Sequence, residues 1–203
     1  MQRRVLYYLN LTGLIFVITL GCQSGRKQEV EKQAERPSKE QLPSGEITYT
    51  VPDGWVEQTP SSPMRRAQFG LPGVEGAGDA ELAVFFFPGT GGTVEENLDR
   101  WYGQFTQPDG SSTKGRVEKK RMSVHGLPIT MVYVTGTYLK SRSPTMMEGS
   151  VDEMPWYAMI AAVAETANGP WFFKATGPQK TIDSWRSNFE RFVQSFTIKG
   201  TGI

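Results

Sequence analysis

The sequence predicts an α+β domain built on a mostly antiparallel sheet of six or seven strands covered by two main helices. From residue 46 onward, short runs rich in β-branched and aromatic residues alternate with turns that contain Gly or Pro, a pattern typical of strands joined by hairpins. Two longer segments place their apolar residues three and four positions apart, which is helical spacing. We therefore expect a single globular domain over residues 46–203.

Seven segments have the length and composition of strands. Several of them are apolar at consecutive positions, as in residues 83–87 and 157–163, so both faces of the sheet need to be covered. The predicted strands are 46–51, 65–71, 81–87, 115–124, 127–139, 156–165 and 169–176.

Two helices are available to cover the sheet. Thr93 and Glu96 have the spacing of a capping box, in which each residue's side chain accepts the other's backbone N–H. This helix is expected to run to about Gln107, before Pro108, and the second helix begins near Pro178. Their apolar faces consist of Val94, Leu98, Trp101 and Phe105 in the first helix and Ile182, Trp185, Phe189, Phe192, Val193 and Phe196 in the second.

The N-terminus has the layout of an export signal. Residues 1–4 supply positive charge through Arg3 and Arg4, and residues 5–20 contain no charged side chain. This apolar run is shorter than the roughly 20 residues that a membrane-spanning helix needs. The only cysteine of the chain, Cys22, follows it almost directly.

The stretch "ITLGC" at residues 18–22 resembles the cleavage motif of bacterial lipoprotein signal peptides. This resemblance implies that residues 1–21 are removed by cleavage between Gly21 and Cys22, and that Cys22 then carries diacylglycerol and an acyl chain such as palmitate. Two or three acyl chains hold a protein on a membrane that one chain would leave. The expected location is the bacterial cell envelope, facing the periplasm where two membranes are present. The alternative is an unmodified thiol in an uncleaved anchor.

Residues 22–45 are expected to be the lipidated N-terminus and a flexible tether. The segment is rich in charges of both signs, has few apolar side chains and contains Pro37 and Pro43, so it cannot form a core of its own. A random coil of this length reaches about 25 Å. The domain is therefore predicted to stand off the membrane.

The domain resembles a known fold in its order of elements and in two short motifs. "VPDGW" at 51–55, a mid-chain helix, long hairpins and "GPWFFKATGP" at 169–178 followed by an aromatic helix resemble the PsbP-like α/β/α fold. The chain is also similar to uncharacterised exported bacterial lipoproteins that share both motifs. PsbP-like proteins are accessory binders, which implies a non-enzymatic role by analogy.

Composition excludes several classes of function. The 22 basic and 21 acidic side chains nearly balance, so no positive field directs the chain to nucleic acid. One cysteine and one histidine cannot form a zinc, iron–sulfur or dithiol redox site. The sequence predicts no cofactor.

Gly91, Gly92 and Thr93 form a candidate anion-binding loop, because a glycine-rich turn into a helix N-terminus presents free N–H groups. The alternative is a tight strand-to-helix turn whose N–H groups the capping box already uses.

His125 lies in a Gly-containing turn, where a solvated side chain is favoured over a catalytic base. The basic run at 114–121 indicates an exposed edge strand or, alternatively, a contact with anionic lipid.

Residues 141–155 are predicted to be a partner-contacting loop, in which Met146, Met147 and Met154 offer adaptable apolar surface. The alternative is a Cu(I) site, which thioethers suit.

The tryptophans Trp55, Trp101, Trp156, Trp171 and Trp185 are expected in the core, with an aromatic sugar platform as the alternative.

These features together predict a membrane-anchored envelope lipoprotein that acts as a non-enzymatic binding or scaffolding module. Its partners would be the membrane, through Cys22, and an envelope protein or ligand that the sequence does not identify. The alternative is an envelope hydrolase or transferase, which requires a convergent acid, base or nucleophile that the sequence does not display.

Overall fold

A computed structural model describes residues 42–89, 91–141 and 151–199. The helices are α1 (Val94–Tyr102) and α2 (Gln179–Gln194). The strands are β1 (Glu46–Thr48), β2 (Val56–Gln58), β3 (Arg65–Leu71), β4 (Ala80–Phe86), β5 (Phe105–Thr106), β6 (Glu118–Val124), β7 (Leu127–Ser141), β8 (Val151–Thr166), β9 (Gly169–Pro178) and β10 (Thr197–Lys199).

The main sheet is antiparallel throughout and has the strand order β2-β3-β4-β9-β8-β7-β5, with β6 also paired to β7. This arrangement confirms the α+β class with two main helices. The sheet has eight strands rather than six or seven. The strands that the sequence did not indicate, β2 and β5, have three and two residues and are too short for a visible periodicity. The predicted strand at 46–51 is shorter and pairs with β10 in a separate two-stranded sheet.

The two helices lie on opposite faces of the main sheet. Alternate residues of β8 divide between two apolar clusters: Ala158 and Ile160 belong to the cluster around α2, whereas Met159 and Ala161 belong to the cluster around α1. We call these the α2 face and the α1 face. The consecutive apolar residues in the sequence are thus explained by burial on both faces.

α1 begins as predicted and ends earlier. The Thr93 hydroxyl accepts the Glu96 N–H at 3.2 Å, and the Glu96 carboxylate accepts the Thr93 N–H at 2.8 Å, which completes the capping box. The helix stops at Tyr102 rather than near Gln107. Phe105 instead lies in β5, opposite Tyr138 of β7, and is still buried in the α1-face cluster. Apolar spacing alone could not distinguish a buried strand residue from another helical turn.

The long hairpin of β7 and β8 extends past the end of β9, whose last partner in β8 is Tyr157. We call residues 137–141 and 151–156 the hairpin arm. Residues 151–155 therefore belong to a strand and not to a loop: residues 151–154 pair with β7, and the last pair is Ser141–Val151. Residues 142–150 lie outside the described residues.

Trp156 departs from the prediction that all five tryptophans lie in the core. Trp55, Trp101 and Trp171 are buried and Trp185 is partly buried, but Trp156 is 79% exposed. The ladder shifts register between Gly136 and Tyr138, directly opposite, and Trp156 takes a φ of 59° there. A bulge of this kind removes the residue from the alternation that would have turned it toward the core.

Candidate functional site

The clearest polar feature within the sheet is Lys174, in the middle of β9. Its neighbours on the α1 face are alanines on both sides, Ala83 of β4 and Ala161 of β8. These small side chains leave room for the long lysine side chain, which stays partly exposed. The fold thus places an amine within an otherwise apolar stretch of sheet.

The Lys174 ammonium group is held by one hydrogen bond and lies near two rings. Nζ donates to Gln104 Oε1 at 2.5 Å and lies 5.7 Å from the centre of the Trp101 ring and 5.8 Å from that of Tyr138. Burial, together with the positive charges of Arg100 and Arg65, lowers the pKa of Lys174 to about 8. The amine is still mostly protonated at pH 7.

A second polar group, on β3 and β4, lies beside Lys174. Arg65 donates to Glu81 Oε1 at 2.6 Å and to Gln68 Oε1 at 2.7 Å. The Gln68 amide nitrogen donates to Glu81 Oε2 at 2.9 Å and to Gln58 Oε1 at 3.0 Å. Glu81 is therefore held by its own neighbours on β3.

Positive charge is in excess at this place. Arg100 of α1 donates to Asn97 Oδ1 at 2.6 Å, and among the described residues neither Arg100 nor Lys174 lies within ion-pair distance of a carboxylate. The positive charges of Arg65 and Arg100 act on Lys174, and the Glu81 carboxylate is bound to Arg65. We call Lys174, Arg100, Gln104, Trp101 and Tyr138 the Lys174 cluster.

Aromatic rings from the base of the hairpin arm form one side of the Lys174 cluster. Tyr138 and Tyr157 stack with their ring centres 6.1 Å apart and their planes inclined by 10°. Burial and the charge of Glu81 raise the pKa of Tyr138, with Arg65 opposing. The Tyr138 phenol therefore remains neutral at physiological pH, and the two rings offer flat apolar surface with polar ends.

This arrangement suits binding better than acid–base catalysis. A hydrolase or transferase needs a nucleophile within hydrogen-bond reach of a base. The Lys174 ammonium instead donates to an amide oxygen, and the nearby Glu81 carboxylate is paired with Arg65. The Lys174 cluster therefore presents donors and rings.

The predicted anion loop at Gly91, Gly92 and Thr93 borders a cavity of about 440 Å³. The capping box occupies the Thr93 and Glu96 N–H groups, and Asn97 Nδ2 donates to the Gly91 carbonyl at 2.5 Å. Glu96 and Glu165 also line the cavity. Their negative charges weigh against an anion there, and binding at this loop stays a prediction.

The basic run lies mainly on β6, an edge strand that pairs with β7. Lys119 and Arg121 both bind the Glu95 carboxylate of α1, at 2.7 and 2.8 Å. His125 occupies the two-residue turn that follows, with a φ of 48°, and its Nδ1 lies 2.9 Å from the Phe196 carbonyl oxygen. These contacts give both features a structural role.

Four of the predicted site residues, Gly21, Cys22, Met146 and Met147, lie outside the described residues. Met154 lies in β8, partly exposed and opposite Tyr138, rather than in a loop. Across residues 42–89, 91–141 and 151–199, no group of three or more His, Cys, Asp or Glu side chains could hold a metal ion. Copper binding by thioethers stays a prediction. In the same ranges, neither helix is long and apolar enough to cross a bilayer.

Sequence reasoning missed the Lys174 cluster. The sequence predicts a strand over residues 169–176, and Lys174 is the one charged residue within it. A lysine within a run that is apolar on both faces is the one signal that could have indicated the site, because such a charge is rarely buried without a reason.

No family model matches the chain, and no curated protein matches it. The structure is similar to that of a protein of unknown function from Pseudomonas aeruginosa, with 14% identity and a TM-score of 0.44, over 77% of this chain and 100% of that one. It is also similar to the solution structure of cyanobacterial PsbP from Synechocystis sp. PCC 6803, with 14% identity and a TM-score of 0.44, over 75% of this chain and 86% of that one.

Proposed function

We propose that this protein is a lipid-anchored binding module of the bacterial cell envelope that engages a partner protein through its hairpin arm. The observation that supports this proposal is Trp156, a large apolar side chain that is 79% exposed and has a φ of 59°. A bulky residue with positive φ is a backbone outlier that costs of order 1–3 kcal/mol. Tryptophan is also among the residues that contribute most to protein interfaces.

The surroundings of Trp156 favour a partner over an internal role. Val151, on the same arm, is 41% exposed, and Tyr138 and Tyr157 stack at its base. Tyr138, at the base of the arm, packs against the α1-face cluster, whereas Trp156 and Val151 belong to neither apolar cluster. An exposed aromatic group on a paired two-stranded arm loses little conformational entropy on binding.

Photo-crosslinking in cells tests the arm. A photoreactive amino acid at position 156 is expected to capture one envelope protein, whereas the same amino acid at Met64, which is 61% exposed and outside the arm, is not. Recovery of that protein with the full chain should fall at least tenfold in Trp156→Ala and stay unchanged in Met64→Ala. Equal capture at both positions, or equal recovery with both variants, contradicts the proposal.

The anchor is tested separately. With a clickable palmitate analogue, the wild-type chain is expected to become labelled and to sediment with membranes, and Cys22→Ala is expected to lose the label. Because the chain contains one cysteine, no other thiol can replace it. Equal labelling of the two proteins would exclude lipidation at Cys22.

A further inference from the structure

We infer that the Lys174 cluster is a binding site for a small anionic ligand, one that carries a phosphate or carboxylate group. The Lys174 ammonium and the Arg100 guanidinium are its charged groups, and the Trp101 and Tyr138 rings lie beside the ammonium. This site shares Tyr138 with the base of the hairpin arm but does not include Trp156, so the proposal does not depend on a protein partner.

The first argument is the missing counter-charge. A partly buried cation is ordinarily paired with a carboxylate, because desolvation of an unpaired charge is costly. Lys174, which is partly buried, has the neutral amide of Gln104 as its hydrogen-bond partner. Arg100 is exposed and donates to the neutral amide of Asn97, so the argument from desolvation applies to Lys174 alone. The other charged groups that face the Lys174 cluster are Arg65 and Glu81, and these are bound to each other.

The second argument is the supply of hydrogen-bond donors. An ammonium group has three N–H donors and a guanidinium has five. Gln104 accepts one bond from Lys174, and Asn97 accepts one from Arg100. The groups that remain are donors, and an oxyanion, which offers only acceptors, is the complementary ligand.

The third argument is that the charged groups are held in position by separate elements. Lys174 is carried by β9, Arg100 by α1 and Tyr138 by β7. Gln104 fixes the ammonium, and Asn97, itself 3% exposed and bonded to the Thr93 carbonyl at 2.9 Å, fixes the guanidinium. A site that is ordered before the ligand arrives loses less entropy on binding.

The rings set a second requirement on the ligand. The Trp101 and Tyr138 ring centres lie 5.7 and 5.8 Å from the ammonium nitrogen. Trp101 is buried, whereas Tyr138 is partly exposed, so a planar group attached to the anion would contact the Tyr138 ring. Inorganic phosphate provides the charge alone, and benzoate provides a carboxylate on a ring. The two probes distinguish a phosphate-type ligand from an aromatic carboxylate.

The test uses the full chain purified in detergent, with its lysine side chains labelled for NMR. Phosphate or benzoate is titrated at pH 7, and the Lys174 signal is identified by its loss in Lys174→Met. We expect that signal to shift in a saturable way with at least one probe, and the signal of Lys120, an exposed β6 residue, to stay fixed. Saturation by phosphate alone or by benzoate alone both support the site and identify the ligand class.

Two variants make the result specific. Arg100→Gln is expected to weaken half-saturation at least tenfold. Arg66→Gln should leave it unchanged, because Arg66 lies over the Phe86 ring, which packs against the α2-face cluster. A Lys174 signal that responds to neither probe, or one that Arg100→Gln and Arg66→Gln affect equally, overturns the inference.

Discussion

The α2 face and the α1 face of the sheet are covered to different extents. α2 has sixteen residues and packs on a cluster that includes residues of β3, β4, β6, β7, β8 and β9, whereas α1 has nine and its cluster uses β5, β7, β8 and β9. Arg65 and Glu81, on β3 and β4, lie beyond α1, and Lys174 lies at its margin. The comparison indicates that apolar packing on the α2 face contributes most of the folding stability. On the α1 face, charged side chains occupy positions that apolar side chains could fill, which lowers that face's contribution.

Polar groups on the two faces differ in the same way. At α2, the Tyr133 hydroxyl donates to Asp183 at 2.6 Å, and Arg186 lies 4.4 Å from the Tyr133 ring centre while it pairs with Glu118. Arg186 thus has a carboxylate as its partner, and Asp183 has a hydroxyl donor. At α1, Lys174 has a neutral amide. A surface shaped for folding alone would not leave that cation without a carboxylate.

The largest effect is expected from Phe192→Ala. Phe192 is 1% exposed and its ring lies 4.9 to 5.7 Å from those of Tyr49, Trp55, Phe196 and Phe173. Truncation leaves a cavity in the α2 face and should lower the free energy of unfolding by about 3–5 kcal/mol. Urea unfolding measures this loss. Trp156→Ala is the control, and a change there greater than about 0.5 kcal/mol would contradict its assignment as a surface residue.

The second-largest effect is a gain in stability rather than a loss. Lys174→Met is expected to raise the free energy of unfolding at pH 7 by about 1–3 kcal/mol, because an apolar side chain of similar length replaces a cation that is costly to bury. A loss of stability in this variant would show that the ammonium is structural, and would contradict the view that the α1 face gives up stability to it.

The difference in the free energy of unfolding between Lys174→Met and the wild type should depend on pH, because the pKa of Lys174 is lowered in the folded chain. Lys174 titrates near pH 8 in the folded chain and near its ordinary 10.5 when unfolded. Between these values the unfolded chain binds the extra proton, so the wild type gains stability as pH rises. The advantage of Lys174→Met is therefore full below pH 8 and shrinks toward pH 10. Urea unfolding at pH 7 and pH 10 measures this; a gap that stays constant would mean that the amine is not desolvated.

Sequence patterns predicted the α2 face better than the α1 face. The α2 apolar stripe is long and lies next to the β9 strand in sequence, so its spacing was visible. β5 has two residues and pairs with Tyr138, more than thirty positions away, so nothing local marked Phe105 as a strand residue. The Lys174 cluster depends on the same kind of distant contact, since Gln104 lies seventy positions from Lys174.

Trp156 shows a different limit. Its exposure results from a register shift between Gly136 and Tyr138 on the opposite strand. Pro155, directly before Trp156, is a local signal of such a bulge because proline cannot donate to the ladder, but the strand predicted from residue 156 starts just after it. Alternation along a strand predicts which face of the sheet a side chain lies on only where the strand pairing is regular. The capping box of α1, by contrast, is a short-range pattern, and it was predicted to the residue.

The smallest effect tests how the short α1 helix is held. Its N-terminus depends on the Thr93 hydroxyl, whereas α2 begins after Pro178 with no side-chain cap. Thr93→Ala should lower the free energy of unfolding by about 1 kcal/mol, and Thr93→Ser, which keeps the hydroxyl, should lower it by a few tenths at most. Hydrogen exchange should show the loss in the first turn of α1 and not in α2. If both substitutions lowered stability equally, the hydroxyl would not be the cap, and packing alone would hold α1 as it holds α2.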